Sequence, residues 1–135
     1  MSNFIQDPTY PAAGRHLLAN LGGCSAAILN DRALLQTIVM QAAAATNATV
    51  LEIVAHQFTP QGVTIVAVLG ESHASLHTYP EHGAAFWDCF TCGDQCQPEA
   101  SLAVLVGALH ATNVHSQLID RTINEVTQTA PSTLA

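Results

Sequence analysis

The chain contains no lysine, and its only permanent cations among 135 residues are Arg15, Arg32 and Arg121. A protein that grips a phosphate backbone needs clustered cations, so no nucleic-acid partner is expected. An anionic membrane surface is a poor partner for the same reason. The missing lysine also excludes enzymes whose own lysine forms a Schiff base, including the usual pyridoxal-phosphate enzymes. Charge of either sign is scarce, at 10% of residues, and what there is leaves a formal net charge of −7. No apolar run reaches the length of a membrane span; the longest, residues 63–70, fits a buried strand. Residues 1–11 lack the cationic and apolar regions of a signal peptide. A cytoplasmic location is therefore expected, with the four cysteines (Cys24, Cys89, Cys92 and Cys96) as thiols rather than disulfides.

Hydrophobic residues, in contrast, make up 49% of the chain. A chain of this length forms one domain, residues 1–135, and buries about two-thirds of its unfolded surface, enough to fold without a metal or disulfide. Residues 15–21 read as a strand ended by Gly22-Gly23. Asn30-Asp31 offers a helix cap, and Leu34, Leu35, Ile38, Val39 and Ala42 follow at helical spacing to about Ala45. Residues 49–56, 63–69, 72–78, 84–92 and 113–119 read as strands, with turns at 58–62 and 79–83. Pro98-Glu99 opens a second helix that places Leu102, Leu105, Val106 and Leu109 on one face. Residues 124–135 read as a flexible tail. The expected fold class is α+β, a two-layer α/β sandwich with an antiparallel sheet covered on one face by two helices. With so few charges to solvate the other sheet face, a second copy of the chain is its natural cover, which predicts a homodimer.

Chemistry concentrates in one stretch, Glu71-Ser72-His73-Ala74-Ser75-Leu76-His77-Thr78-Tyr79-Pro80-Glu81-His82-Gly83, followed by Phe90-Thr91-Cys92-Gly93. Density alone leaves a polar loop with scattered histidines as the plain alternative. A serine-hydrolase elbow is disfavoured, because Gly70-Glu71-Ser72-His73-Ala74 lacks the second glycine of G-x-S-x-G. A zinc site on Cys89, Cys92 and Cys96 lacks a second paired knuckle, so no metal is expected.

These residues resemble the short prokaryotic S-adenosylmethionine decarboxylase proenzymes. The resemblance rests on Glu71-Ser72-His73, Ser75, His77-Thr78-Tyr79-Pro80-Glu81, Asp88 and Phe90-Thr91-Cys92-Gly93. It extends to Gly14-Arg15-His16-Leu17-Leu18, Gly23-Cys24, Leu29-Asn30-Asp31 and Phe58-Thr59-Pro60-Gln61-Gly62-Val63, and weakens after Pro98. Thr64 stands where a serine is usual, Ala74 where a larger aliphatic is usual, and Phe86-Trp87 where small and aliphatic residues are usual.

The resemblance implies a self-processing decarboxylase with a pyruvoyl cofactor generated from Ser72. The missing lysine agrees, since an amine decarboxylase needs a carbonyl electron sink from somewhere. Cleavage after Glu71 yields chains 1–71 and 72–135. The resemblance further implies His77 in the proton transfers of processing, with Thr64 as an accompanying hydroxyl. It implies that the substrate α-amine condenses with the pyruvoyl group, and that Cys92 returns a proton to Cα. Phe58 and Tyr79 are implied to stack on adenine, and Glu81 to accept from the ribose hydroxyls. Each active site of the dimer is implied to draw on both protomers. The implied reaction converts S-adenosylmethionine to its decarboxylated form, an aminopropyl donor for polyamine (spermidine) synthesis; arginine or ornithine decarboxylation on the same machinery is the alternative. There is a geometric demand: on a straight strand Ser72 and His77 lie about 16 Å apart. Either the chain bends near Gly70–His73 or His77 arrives from elsewhere.

Overall fold

A computed structural model describes residues 12–92 and 95–123. Six strands form one sheet in the order β2-β3-β4-β5-β1-β6, and every neighbouring pair is antiparallel. The strands are β1 (Ala13–Gly22), β2 (Val50–Gln57), β3 (Val63–Leu69), β4 (Ser72–Tyr79), β5 (Ala84–Thr91) and β6 (Asn113–Thr122). The helices are α1 (Ala26–Leu29), α2 (Arg32–Ala45) and α3 (Ser101–Leu109). The expected two-layer α+β arrangement holds, with the one-turn α1 as an unanticipated addition. The Ser25 side chain caps α1 by accepting from the Ile28 amide, and Asp31 caps α2 by accepting from the Leu34 amide. The expected tail, 124–135, lies outside the described residues.

Alternation along the strands sorts side chains between two faces. Leu17, Leu21, Val63, Ile65, Leu76 and Trp87 point into a core closed by Leu35, Val39, Leu105 and Leu109 of the helices. Trp87 occupies a position where the resemblance led to expect an aliphatic residue. It is accommodated because its indole nitrogen donates to the buried Ser101 hydroxyl, which in turn donates to the Pro98 carbonyl. Leu34, which the helical spacing grouped with the buried stripe, is exposed at the edge of α2.

Among the described residues, no helix covers the opposite face. Cross-strand pairing lines up Val54, Val66, Ser75, Asp88 and Leu18 in one row across it. The next row holds His56, Thr64, His77, Phe86 and Asn20. Leu18, Val54, Val66, Val68 and Phe86 are all solvent-exposed there. These exposed apolar side chains are interleaved with the polar Ser75, Asp88, His56, Thr64, His77 and Asn20 of the same two rows. No described helix is long and apolar enough to cross a membrane.

Candidate active site

The turn between β3 and β4 is only two residues, Gly70-Glu71, with Leu69 paired to Ser72 across it. The Glu71–Ser72 peptide therefore sits at the tip of a tight hairpin. The tip is tied down from both sides. The Gly70 amide donates to the Thr49 carbonyl, and the Thr49 amide donates to the Glu71 carboxylate. The amide of Cys92, just past the end of β5, donates to the Glu71 carbonyl at 3.1 Å. Ser72 takes φ +144°. That region is essentially reserved for glycine and costs a residue with a side chain about 1–3 kcal/mol. Strain is thus stored at one side of a single peptide bond, and a fixed donor polarises its carbonyl.

Around Ser72 the sheet assembles a polar cluster. His73, Ser75, Asp88 and His16 share the open face, because β4 pairs with β5 and β5 with β1 in that register. The Ser72 hydroxyl lies 3.3 Å from His73 Nδ1. His73 Nε2 is 3.1 Å and His16 Nε2 2.7 Å from the same Asp88 oxygen, while the Ser75 hydroxyl donates to the other oxygen. Arg121 Nη1 lies 3.1 Å from His16 Nδ1, and its guanidinium stacks 4.7 Å from the Phe90 ring centre. Partial burial pushes the Asp88 carboxyl up. The hydrogen bonds from Ser75, His16 and His73, with the nearby His73 charge, outweigh burial and hold it below its ordinary value. Three ligand-type atoms of His16, His73 and Asp88 lie within 4.8 Å of one another. Both imidazoles already spend their Nε2 atoms on one carboxylate oxygen, so the set is satisfied as a hydrogen-bond network. Beside it, Phe90, Cys92, Asp120 and Arg121 line an open recess of about 520 Å³.

A second cluster occupies the other end of β3 and β4. Thr64 hydrogen-bonds His77 Nδ1 across the strand pair. The His77 ring lies 4.7 Å from Tyr79 and 5.9 Å from Phe58, both near edge-on. Phe58 stays at the strand mouth because its amide donates to Gly62, closing the loop before β3. Phe58, His77, Tyr79 and Glu81 line a recess of about 210 Å³. This is smaller than the roughly 300–1,000 Å³ of ordinary small-molecule sites.

The sequence-predicted residues therefore fall into two groups. Glu71, Ser72 and Cys92 converge at the hairpin tip; Phe58, Thr64, His77, Tyr79 and Glu81 converge at the far end. β4 runs unbroken from Ser72 to Tyr79, so the chain does not bend to bring His77 to Ser72, and about 16 Å separates the groups within one chain. Sequence reasoning gave no role to His16 or Arg121, whose places depend on β1 lying between β5 and β6. It listed His73, Ser75 and Asp88 only as parts of a motif. The remaining cysteines are packing residues. Burial foremost, then the neighbouring charges of Asp88 and Cys96, pushes the Cys89 thiol up to about 12, and among the described residues no cysteine belongs to a ligand cluster.

Comparison with known proteins adds a second line. Residues 15–122 match the family model described as S-adenosylmethionine decarboxylase. The chain is 38% identical over 122 residues to an S-adenosylmethionine decarboxylase proenzyme of Brevibacillus brevis, covering 90% of this chain and 92% of the relative. It is 45% identical over 111 residues to the proenzyme of Pyrobaculum neutrophilum, covering 82% and 90%. Its fold is similar to the crystal structure of the adenosylmethionine decarboxylase from Aquifex aeolicus, with TM-score 0.76, 32% identity, and coverage of 87% of this chain and 97% of that one.

Proposed function

Because the chain belongs to the S-adenosylmethionine decarboxylase family, we propose that it cleaves itself between Glu71 and Ser72 and, as a homodimer, decarboxylates S-adenosylmethionine to an aminopropyl donor for polyamine synthesis. The observation that carries the cleavage is the hairpin tip, where a strained serine follows a carbonyl held by the Cys92 amide. The Ser72 hydroxyl attacks the Glu71 carbonyl carbon. The carbon–nitrogen bond breaks, an ester forms, and the Ser72 nitrogen takes up the proton. Release of about 1–3 kcal/mol of strain speeds that step by roughly 5–150-fold if all of it is recovered. Loss of the Ser72 α-proton then expels the Glu71 carboxylate. The dehydroalanine left behind tautomerises to an imine, and water releases ammonia from it. Chain 1–71 ends in Glu71, and chain 72–135 begins with a pyruvoyl group.

Ser72 at the tip fits this group, because its strand partner Thr91 sets it next to Cys92, where the recess opens. The pyruvoyl carbonyl supplies the electron sink that a lysine-free chain cannot provide through pyridoxal phosphate. The Cys92 side chain, one residue beyond the partner of Ser72 in β5, delivers the proton to the substrate's Cα. The far-end cluster works on a neighbouring chain. His77 with Thr64 handles processing protons, Phe58 and Tyr79 flank the adenine, and Glu81 accepts from the ribose. Packing two open sheet faces about a two-fold axis joins the hairpin tip of one protomer to the aromatic recess of its partner. Such an interface repeats the match twice, and it explains why the 210 Å³ recess is undersized alone.

Mass spectrometry of the purified protein, with CO₂ release from carboxyl-labelled S-adenosylmethionine, arginine and ornithine, tests this reading. Two chains meeting at Glu71 and Ser72, with the second resistant to amine-directed sequencing, are expected, and S-adenosylmethionine should turn over fastest. An intact chain that is fully active removes the pyruvoyl mechanism. Faster turnover of arginine or ornithine removes the substrate assignment alone.

A further inference from the structure

We infer that His73 is the base that takes the proton from the Ser72 hydroxyl in the first step of self-cleavage, within the same chain, and that Asp88, His16 and Arg121 hold it in the required tautomer. The inference rests on the self-cleavage reading above and assigns a separate residue to its first chemical step.

The assignment follows from which atoms can donate. Arg121 has only donors, so its contact at 3.1 Å makes His16 Nδ1 the acceptor. His16 then carries its proton on Nε2 and donates it to Asp88 at 2.7 Å. Asp88 is an ionised carboxylate, since three donors hold its carboxyl below the ordinary value against the upward push of burial. A carboxylate only accepts, so the contact at 3.1 Å puts a proton on His73 Nε2. In its uncharged form the imidazole therefore presents a lone pair at Nδ1, 3.3 Å from the Ser72 oxygen. A distance slightly beyond the ideal is usual before a reacting group is driven home.

The order serine, imidazole, carboxylate is that of an activated nucleophile, but its electrophile is the preceding peptide. The Ser72 proton passes to Nδ1 as the oxygen bonds to the Glu71 carbon. The developing oxyanion lies on the atom that already accepts from the Cys92 amide. When the tetrahedral carbon collapses to the ester, the imidazolium returns its proton to the departing Ser72 nitrogen. No external co-reactant is needed. His77, about 16 Å along β4, is free of this task and remains for the later removal of the α-proton, from the partner's chain.

Hydroxylamine separates the two steps, because it cuts esters and leaves ordinary amides. The sequence contains no Asn-Gly pair, so no background cleavage site interferes. Wild type, His73→Gln, His77→Gln, Asp88→Asn and Asp88→Glu are followed by mass spectrometry, each as folded protein with and without hydroxylamine. His73→Gln should slow cleavage about 10²-fold or more, and hydroxylamine should not cut it. His77→Gln should also stall, but as an ester that hydroxylamine cuts. Asp88→Asn should stall at the same stage as His73→Gln, with Asp88→Glu recovering part of the rate. If the glutamine variant misfolds, His73→Ala is used instead, and added imidazole should restore its cleavage. Cleavage of a folded His73 variant at the wild-type rate overturns the inference, as does a His73 variant that hydroxylamine cuts as readily as His77→Gln. A wild-type chain that stays whole and is nevertheless active sinks the self-cleavage reading instead.

Discussion

The two half-sites at opposite ends of β4 make a quantitative prediction for mixed dimers. Cys92→Ala damages the hairpin-tip half; Phe58→Ala combined with Glu81→Gln damages the recess half. Each homodimer then contains two broken sites. Loss of the proton donor should cost roughly 10²-fold. Loss of the stacking contact and a ribose hydrogen bond should cost about 2–4 kcal/mol together, or roughly 30–900-fold. When the two chains are refolded together in equal amounts, random pairing makes about half of the dimers mixed. If each site takes its tip from one protomer and its recess from the other, one site of every mixed dimer carries both defects and the other carries none. Activity should therefore climb from a few per cent or less in either parent to about 25% of wild type. The assay is CO₂ release from carboxyl-labelled S-adenosylmethionine after co-refolding, with two distinguishable tags to verify that mixed dimers formed. Verified mixed dimers with no more activity than the parents would refute the shared site. A monomer at micromolar concentration with full activity would refute it more directly.

Cys92→Ala by itself should still cleave into two chains while turnover falls about 10²-fold if, as proposed, its thiol serves substrate protonation; failure to cleave, seen on a denaturing gel, would move Cys92 into processing. Ser101→Ala strands the buried Trp87 N–H, which donates to that hydroxyl at 2.9 Å. It should lower unfolding stability by about 1–3 kcal/mol in urea melts without changing the cleavage site. Asp88 has a folded pKa below its unfolded one, so its stabilising contribution is complete above the ordinary carboxylate value of about 4 and disappears as pH falls through the lowered folded value. The advantage of wild type over Asp88→Asn in urea midpoint should accordingly be widest near neutral pH and shrink in acid; an advantage that grows on acidification contradicts the network.

Much of this molecule was legible along the chain. The apolar run of 63–69, the loose alternation of 72–78, the Asp31 cap and Pro98 before the second helix are local signals, set by side-chain sterics and hydrogen bonding within a few residues. They placed five of the strands and α2 within about two residues of where they lie, whereas Pro98 opens a 3-10 turn over residues 98–100 and α3 itself starts only at Ser101. The one-turn α1 was missed because its Ser25 cap is followed by a single turn, too short to show a period. The misplacement of Leu34 has a related cause: helical spacing gives a stripe, but the width of the stripe that is covered depends on the curvature of the sheet beneath it.

The chemistry divides along the same line. Residue types and order alone determined that no lysine could serve as electron sink, and that a serine, a histidine and a cysteine sat in a motif resembling a self-cleaving decarboxylase. What lies beside what was decided by strand register and by the insertion of β1 between β5 and β6. That non-local pairing brings His16 and Arg121, separated by 105 positions, onto the Asp88 and His73 of a distant hairpin. β4, paired along its length with β3 and β5, runs unbroken, so His77 is carried away from Ser72 by five residues of strand rise. A sequence pattern records the period of a strand but not its neighbours, because pairing energy comes from backbone hydrogen bonds that are nearly the same for any partner. The choice among partners belongs to the packing of the whole sheet against α2 and α3.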